Sequence, residues 1–242
     1  MKMKIFYISL LILFASDTFS QSEIDYQTGS GLVVEAGADI CADTVIINGS
    51  FSIAGTICGS SLLQLNLIAF IEGFYNSQSN VMISDTIEVY LRSAAIPYNL
   101  VDSSISTLDS LGSGKFYFSN AVNGANYYIV LKHRNSIETW SQSGNAFAGG
   151  TLNYNFASAA NKAYGNNQHQ IDNTPVKYGI YSGDVNQDGI VDLDDGSLVD
   201  NDSYNFLSGY VATDVNGDNF TDISDNTITD NNSFNFVTVI KP

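Results

Sequence analysis

The last sixty residues carry carboxylates at a spacing that could bind a hard metal cation. Residues 184–206 align without gaps on residues 214–236, thirty positions later, with eleven identities in twenty-three positions. Each copy opens with twelve residues in which four aspartates recur at the same intervals. Carboxylates crowded in this way repel one another unless a divalent cation lies between them. The repeat therefore predicts two cation sites, in a first loop (residues 184–195) and a second loop (residues 214–225).

The ligand types and their order favour calcium. Calcium takes about six to eight oxygen ligands, which a twelve-residue loop presents from its positions 1, 3, 5, 7, 9 and 12. These positions are Asp184, Asn186, Asp188, the carbonyl of Ile190, Asp192 and Asp195 in the first loop, and Asp214, Asn216, Asp218, the carbonyl of Phe220, Asp222 and Asp225 in the second. A ligand set without His or Cys argues against zinc and copper. We expect two calcium ions, one in each loop.

Position 6 of such a loop must turn sharply with a positive φ. Gly189 adopts that conformation freely, and Asn219 is the next best residue for it. Both copies end in Asp, where ordinary EF-hand loops have Glu. The pair resembles dockerin type I, in which DxNxDGxxxxxD is written twice, and this resemblance implies calcium binding and a helix after each loop. Residues 196–206 and 226–236 carry Asp, Asn and Ser in place of the Leu-, Lys- and Arg-rich helix of dockerins that bind cohesins.

The repeat pair (residues 183–242) follows a longer region, residues 64–158, that predicts a β-sandwich. Apolar alternation and turn signals mark strands near residues 64–71, 86–91, 115–118, 127–132 and 151–156. Several such strands without a helical period are typical of a sandwich. The segments GKFYF (114–118) and NGANYYIV (123–130) resemble the hairpin of transthyretin-like and fibronectin-like sandwiches, which implies that these two strands pair. Residues 159–182 are polar and are predicted to be a connector.

Residues 21–63 predict short strands punctuated by glycine. Strands of about four residues bury too little apolar surface to stand alone. The segment therefore resembles one or two coils of a β-solenoid, which needs neighbours to cover its ends. Either it packs on the sandwich or its edge pairs with another chain. Cys41 and Cys58 are expected to form a disulfide in an oxidising compartment, which would stabilise the fold by roughly 3 kcal/mol.

The first twenty residues predict export. Lys2 and Lys4 precede an apolar run of eleven residues, and the small residues Thr18 and Ser20 suit a signal peptidase. We expect residues 1–20 to be a signal peptide and the mature chain to be extracellular or at a cell surface, without membrane insertion. The chain has 25 acidic and 9 basic residues, so it repels nucleic acid and anionic lipid. The layout as a whole resembles surface proteins secreted by Bacteroidetes-type bacteria.

No constellation of residues in the sequence predicts an enzyme. His133 is expected to be a hydrogen-bonded surface residue, and neither it nor His169 belongs to a catalytic or zinc motif. The predicted fold is mainly β: a solenoid-like segment, a central sandwich, and a small pair of calcium loops and helices. The predicted function is a non-enzymatic structural protein that binds calcium and assembles with copies of itself, for example as a filament subunit. The alternative is a glycan-binding module, or one that docks another secreted protein in a polysaccharide-degrading system.

Overall fold

The computed structural model describes the chain from residue 62 to residue 242 and, before that, the backbone of six short strands. These strands are β1 (Glu23–Tyr26), β2 (Gly31–Val34), β3 (Asp39–Cys41), β4 (Thr44–Ile47), β5 (Ser50–Ile53) and β6 (Thr56–Cys58). The predicted signal peptide, residues 1–20, lies outside the described residues. The chain divides into two compact units, residues 1–61 and 62–242.

The six N-terminal strands pair in parallel, each with the third strand along the chain. β1 pairs with β4, β2 with β5, and β3 with β6. Two stacked coils of three strands result, which confirms the predicted β-solenoid-like segment. The register sets Cys41 opposite Cys58. Their side chains lie outside the described residues, so the disulfide stays a prediction.

The central region contains two larger sheets. Its strands are β7 (Leu63–Ile68), β8 (Tyr75–Asn76), β9 (Val81–Met82), β10 (Asp85–Ser93), β11 (Leu100–Leu108), β12 (Ser113–Phe118), β13 (Asn126–His133), β14 (Ser136–Trp140), β15 (Asn145–Ala146) and β16 (Thr151–Asn155). One sheet has the order β11-β10-β13-β14, with β15 beside β13. The other has the order β12-β7-β16, in which β12 is antiparallel and β16 parallel to β7.

Apolar side chains from the two sheets form one core. The alternation of Leu with polar residues in β7 puts Leu63, Leu65 and Leu67 on its buried face. Phe116 of β12 and Ile129 of β13 are fully buried in the same cluster. Burial of this many apolar side chains between two sheets is what stabilises a sandwich. The sandwich predicted from the sequence is confirmed.

The hairpin suggested by residues 114–118 and 123–130 is wrong. β12 pairs with β7, whereas β13 pairs with β10 and β14, so the two strands lie in different sheets. The residues between them cross from one sheet to the other. Phe118 and Ile129 contribute to the shared core from these two sheets. A pattern of alternating aromatic residues fits such a crossing as well as it fits a hairpin.

The predicted connector contains more regular structure than its polar sequence suggested. Three short 3₁₀ turns (Phe156–Ser158, Ala160–Lys162 and Tyr164–Asn166) precede a hairpin of β17 (His169–Asn173) and β18 (Val176–Gly179). Ile180 N donates to Phe70 O at 2.9 Å, and Glu72 N donates to Ile180 O at 3.1 Å. These two bonds attach the end of the hairpin to the sandwich.

Each repeat contributes one helix, α1 (Leu193–Tyr204) or α2 (Ile223–Phe234). The helices begin after the N-cap residues Asp192 and Asp222. After each C-cap residue, Asn205 or Asn235, follows a residue with a left-handed backbone, Phe206 or Phe236. The predicted pair of helices is confirmed. Among the described residues, no helix is long and apolar enough to cross a bilayer.

Candidate metal centre

The start of each helix fixes the last two ligand positions of its loop. In the first loop, the Asp192 carboxylate accepts from Asp194 N at 2.8 Å, and the Asp195 carboxylate accepts from Asp192 N at 3.0 Å. Asp222 and Asp225 repeat this capping box in the second loop. The box satisfies amides that a helix N-terminus leaves without partners. Positions 9 and 12 are therefore set by the local sequence.

The two repeats hold each other's loops. Val191 N donates to Val237 O at 2.9 Å, and Thr221 N donates to Leu207 O at 3.0 Å. The two donors are thirty residues apart, and so are the two acceptors, so the contacts are equivalent. Each loop is fixed by the segment that follows the other repeat's helix. The two loops are therefore held together in one structural unit.

The turn geometry inside each loop follows the prediction. φ is 91° at Gly189 and 70° at Asn219, so position 6 is left-handed in both loops. Position 3 then accepts from position 5, since Asn186 Oδ1 is 2.8 Å from Asp188 N. Position 5 accepts from position 7, since Asp188 Oδ1 is 3.0 Å from Ile190 N. The second loop has the same two bonds. These turns curl the backbone so that the side chains of alternate residues lie on its inner side.

Asp184 is a buried carboxylate with an unpaired oxygen. It is 2 % exposed, and its Oδ1 has no hydrogen-bond partner among the described residues. Burial, and then the charges of Asp195 and Asp188, raise the pKa of Asp184 to about 7. A buried charge without a partner is unfavourable, and a divalent cation beside it would stabilise it. By residue type, by order and by this unpaired oxygen, the first loop fits calcium.

The position-12 aspartates are the most deeply buried carboxylates of the loops. Asp195 and Asp225 are both 0 % exposed, and burial raises the pKa of each. Asp195 Oδ1 accepts from Val185 N at 2.9 Å and from Asn186 N at 3.1 Å. The carboxylate therefore ties the start of the loop to the helix.

The carboxylates do not form a closed cage as they stand. Across the part of the chain that the structure describes, no group of three or more His, Cys, Asp or Glu side chains is placed to hold a metal ion. The oxygens of Asp188 and Asp195 instead accept hydrogen bonds from amides of the loop itself. Calcium binding by the predicted residues therefore stays a prediction.

The repeat pair contacts the sandwich at the joint, which we define as the contacts of Glu72, Gly73, Arg134 and Asn135 with the repeat pair. No sequence pattern indicated these contacts. Arg134 Nη2 donates to the main-chain oxygen of Asp214 at 3.1 Å and to its carboxylate at 3.3 Å. Arg134 follows β13 in a tight turn. It is eighty residues from Asp214, so no local pattern could connect the two.

Further hydrogen bonds complete the joint. Asn135 Nδ2 donates to Asp214 O at 2.8 Å and to Ala212 O at 3.0 Å. The Glu72 carboxylate accepts from Asn232 Nδ2 at 2.7 Å, which attaches α2 to the sandwich. All these polar groups are at least partly buried, so each bond satisfies a group that water cannot reach freely. The joint therefore fixes the repeat pair on the sandwich.

His133 is buried beside the joint, which corrects the predicted surface position. It is 3 % exposed, and its ring lies between Ser136 Oγ at 3.0 Å and Asp85 Oδ2 at 3.1 Å. Burial lowers the pKa of His133, so the ring is neutral at pH 7. Asp85 also forms an ion pair with Arg134. His133 thus helps to orient the carboxylate that holds Arg134.

The helix pair presents aromatic side chains to solvent at matched positions. Tyr204 and Phe234 are 85 % and 82 % exposed, and Phe206 and Phe236 are 89 % and 86 % exposed. Phe206 and Phe236 both have a φ of 54°, a left-handed conformation that is rare for a bulky side chain. This conformation closes the C-terminus of each helix, since Leu207 N donates to Asp202 O at 2.9 Å and Val237 N donates to Asn232 O at 3.0 Å. These aromatic residues are candidates for contact with a partner.

Comparisons with known proteins add a structural likeness. No family model and no curated protein matches the chain. Two similar solved structures are type II cohesin–X-dockerin complexes from Acetivibrio cellulolyticus, one a C-terminal and the other an N-terminal interface mutant. Each aligns with 13% identity and a TM-score of 0.43, over 72% of this chain and 99% of the matched chain. At this TM-score the likeness carries no argument about function.

Proposed function

We propose that the repeat pair is a calcium-binding docking module that attaches this secreted chain to another extracellular protein. The observation that carries the proposal is a set of exposed apolar side chains at the same four positions of both repeats. These are Ile190, Leu193, Tyr204 and Phe206 in the first repeat and Phe220, Ile223, Phe234 and Phe236 in the second. Scattered exposed apolar residues are ordinary. Their duplication on a small polar domain indicates a contact surface.

Calcium serves this surface by fixing the loops from which the helices start. When bound, the ion would neutralise the loop carboxylates, through Asp184 and the other ligands named above. The capping boxes then transmit the loop position to α1 and α2, because Asp195 and Asp225 belong to both loop and helix. Extracellular modules bind calcium with Kd values of roughly 10⁻⁴–10⁻³ M. We expect affinities in this range, so the module is loaded outside a cell.

The partner expected from this chemistry is a protein with an apolar docking face. Aromatic side chains supply most of the binding energy in many protein interfaces, and Phe206 and Phe236 are the most exposed ones here. The formal net charge of −16 disfavours a strongly acidic partner. The role is binding, and no catalytic step is proposed.

The test compares matched baits for capture of a partner. Full-length mature protein is presented to the culture supernatant of its source, in calcium and in chelator, and the captured protein is purified and titrated back. We expect a defined complex in calcium that is lost with the Phe206→Ser/Phe236→Ser double variant. Ile105→Ser, which removes an exposed apolar side chain from the sandwich, is the control and should bind normally. A complex that survives the double variant, or that forms equally in chelator, would contradict the proposal.

Self-assembly is a second candidate, favoured by the N-terminal strands. Among the described residues each of these strands pairs with one other strand, so its second edge has no described strand partner. Such edges can pair with another chain. Light scattering of the mature protein in calcium distinguishes the candidates. Oligomers that disappear when residues 22–63 are deleted would support assembly, whereas a monomer at high concentration would reject it.

A further inference from the structure

The first carboxylates of the two loops have different surroundings. Oδ1 of Asp184 has no hydrogen-bond partner among the described residues. Both oxygens of Asp214 are engaged: Oδ1 accepts from Gly217 N at 2.8 Å, and Oδ2 accepts from Asn219 N at 3.3 Å. Oδ2 also accepts from Arg134 Nη2 at 3.3 Å. Asp184 and Asp214 are equivalent residues of the repeat, but only Asp214 has a fixed cation, the Arg134 guanidinium, beside it.

Arg134 is held where it is by several contacts. Its Nε donates to Val211 O at 3.0 Å, and its Nη1 forms the ion pair with Asp85. The guanidinium carbon lies 4.1 Å from the ring centre of Tyr210 and 5.1 Å from that of Phe74. Cation–π contacts of this kind add to the binding of the guanidinium. Its side chain is 15% exposed, so solvent screens its charge weakly, and it cannot swing away without losing all these partners.

The first loop has no equivalent of Arg134 in the described part of the chain. Lys132 and Lys241 line a small cavity beside Asp184 and Asp188. Lys132, however, forms its ion pair with Glu138, at 3.5 Å. Neither lysine makes an ion pair with a loop carboxylate among the described residues. The charge contrast between the loops is therefore specific to the Arg134 contact.

We propose that Arg134 is a built-in counter-charge of the second loop, so that calcium fills the first loop at low concentration and the second only at higher concentration. The proposal rests on the calcium function proposed above and adds an order to it. Calcium in the second loop has to compete for the Asp214 carboxylate with the guanidinium of Arg134, which is also paired with Asp85. The first loop instead offers a carboxylate oxygen of Asp184 without a hydrogen-bond partner, and no cation is paired with that carboxylate among the described residues. We expect the two Kd values to differ by roughly tenfold or more, which corresponds to about 1.4 kcal/mol per tenfold step.

The order of filling is measured by calorimetric calcium titration of the full mature chain. Asp188→Asn disables the first loop and reports the second, whereas Asp218→Asn disables the second loop and reports the first. Arg134→Gln is then added to each background. We expect Arg134→Gln to lower the calcium Kd of the second loop roughly tenfold. The Kd of the first loop should change by no more than about twofold. Circular dichroism in chelator checks that each variant retains its strands.

Two control variants separate the charge of Arg134 from the effects of a nearby lysine and of the residue at position 6. Lys132→Gln removes a cation near the first loop that is paired with Glu138 and with no loop carboxylate among the described residues, and it should change neither Kd by more than about twofold. Asn219→Gly removes the sequence difference at position 6. If Asn219 rather than Arg134 weakens the second loop, this variant will equalise the loops while Arg134 is still present, and the proposal is overturned.

The outcomes separate this inference from the calcium function. Equal Kd values in the two single-loop variants would overturn the order of filling, even if Arg134→Gln proved unable to fold. If a folded Arg134→Gln variant binds calcium in the second loop with an unchanged Kd, the proposed role of Arg134 is overturned. Absence of calcium uptake by both loops would instead overturn the calcium function itself, and this inference with it.

Discussion

The β-sandwich and the repeat pair are stabilised by different interactions. The sandwich has one continuous apolar cluster, which includes the fully buried Phe116, Phe118, Phe147 and Phe156. The repeat pair has two small clusters of three buried apolar residues each, and one of them borrows Ile137 from the sandwich. Apolar burial is the main stabilising contribution to most folds. It suffices for the sandwich, but the repeat pair needs other contributions.

Those other contributions are polar. The repeat pair buries four carboxylates, those of Asp184, Asp195, Asp214 and Asp225, and burial of a carboxylate is unfavourable unless a partner offsets it. Backbone amides serve Asp195 and Asp225, and Arg134 serves Asp214. Asp184 has no cation paired with it among the described residues, and its Oδ1 has no hydrogen-bond partner there. We infer that the sandwich is a base that folds by itself, whereas the repeat pair depends on the joint and on calcium.

Removal of calcium should cause the largest loss of stability, and this loss should be confined to the repeat pair. At a roughly hundredfold excess over Kd, each ion adds about 2.7 kcal/mol of stability, so two sites add roughly 5 kcal/mol. Hydrogen exchange with mass spectrometry should show that α1 and α2 lose protection in chelator while β10 and β13 keep theirs. Equal protection of the helices with and without calcium would remove the distinction between the two regions.

A cavity in the sandwich should have the next largest effect and should not depend on calcium. Leu65 is 0 % exposed in the core, so Leu65→Ala should lower the free energy of unfolding by about 2–5 kcal/mol. Denaturant titration in calcium and in chelator should give the same loss. The matched variant Val199→Ala opens a cavity in the small cluster of the repeat pair. Its effect should appear in the protection of α1 and α2, and a loss confined to the sandwich strands would contradict this prediction.

A side chain at Gly73 should disturb the joint by a smaller amount. A Cβ at this position would overlap the main-chain oxygen of Val215 and would approach Ile228 Cδ1 to 3.2 Å. Gly73→Ala should therefore lower the stability of the repeat pair by about 1–3 kcal/mol, measured by the calcium-dependent melting transition. The control is Gly196→Ala, in the interior of α1. The added Cβ would lie 3.5 Å from Asp230 Oδ1 of α2, which is an ordinary van der Waals distance. That variant should stabilise the helix by about 0.5–1 kcal/mol, and an equal loss in both variants would argue against a close contact at Gly73.

The two regions also differ in what their sequences could predict. β7 was recognisable because Leu65 and Leu67 alternate with polar residues, and the repeat pair because its aspartates recur after thirty positions. β11 was missed because it is an edge strand rich in Ser, with several exposed positions. The pairing of β12 was predicted wrongly because a periodic pattern identifies the buried face of a strand but not its neighbour.

The joint could not be predicted at all, for a physical reason. Its contacts connect residues 77 or more positions apart, such as Asn135 with Ala212, Arg134 with Asp214, and Glu72 with Asn232. Each is a polar residue in a turn or on a helix, where sequence alone indicates a solvated side chain. Only the packing of the repeat pair on the sandwich buries these groups. The candidate loops were therefore predictable as a local motif, and the contact of Arg134 with the second loop was not.

The smallest effect that we expect is a pH dependence of stability, which His169 causes through its contact with Glu72 of the joint. A hydrogen bond with the Glu72 carboxylate raises the pKa of His169, against an opposing effect of burial, and the charge of Glu72 adds to the rise. The ring also stacks on Tyr181, with 5.7 Å between the ring centres. Because the folded pKa lies above the unfolded value, this interaction stabilises the fold fully below about pH 6.5. The stabilisation is lost as the pH rises through the folded pKa.

His169→Gln isolates this contribution, since Glu72 keeps its bonds to Ser182 N and Asn232. Melting temperatures of both proteins are compared from pH 6 to pH 9 in saturating calcium, and the difference between them cancels the titration of other groups. We expect the wild-type protein to be the more stable at pH 6 and the difference to shrink towards pH 9. The effect should be small because the His169 side chain is 48% exposed and solvent screens its charge. A difference that stays constant with pH would show that His169 acts by packing on Tyr181 rather than by its charge.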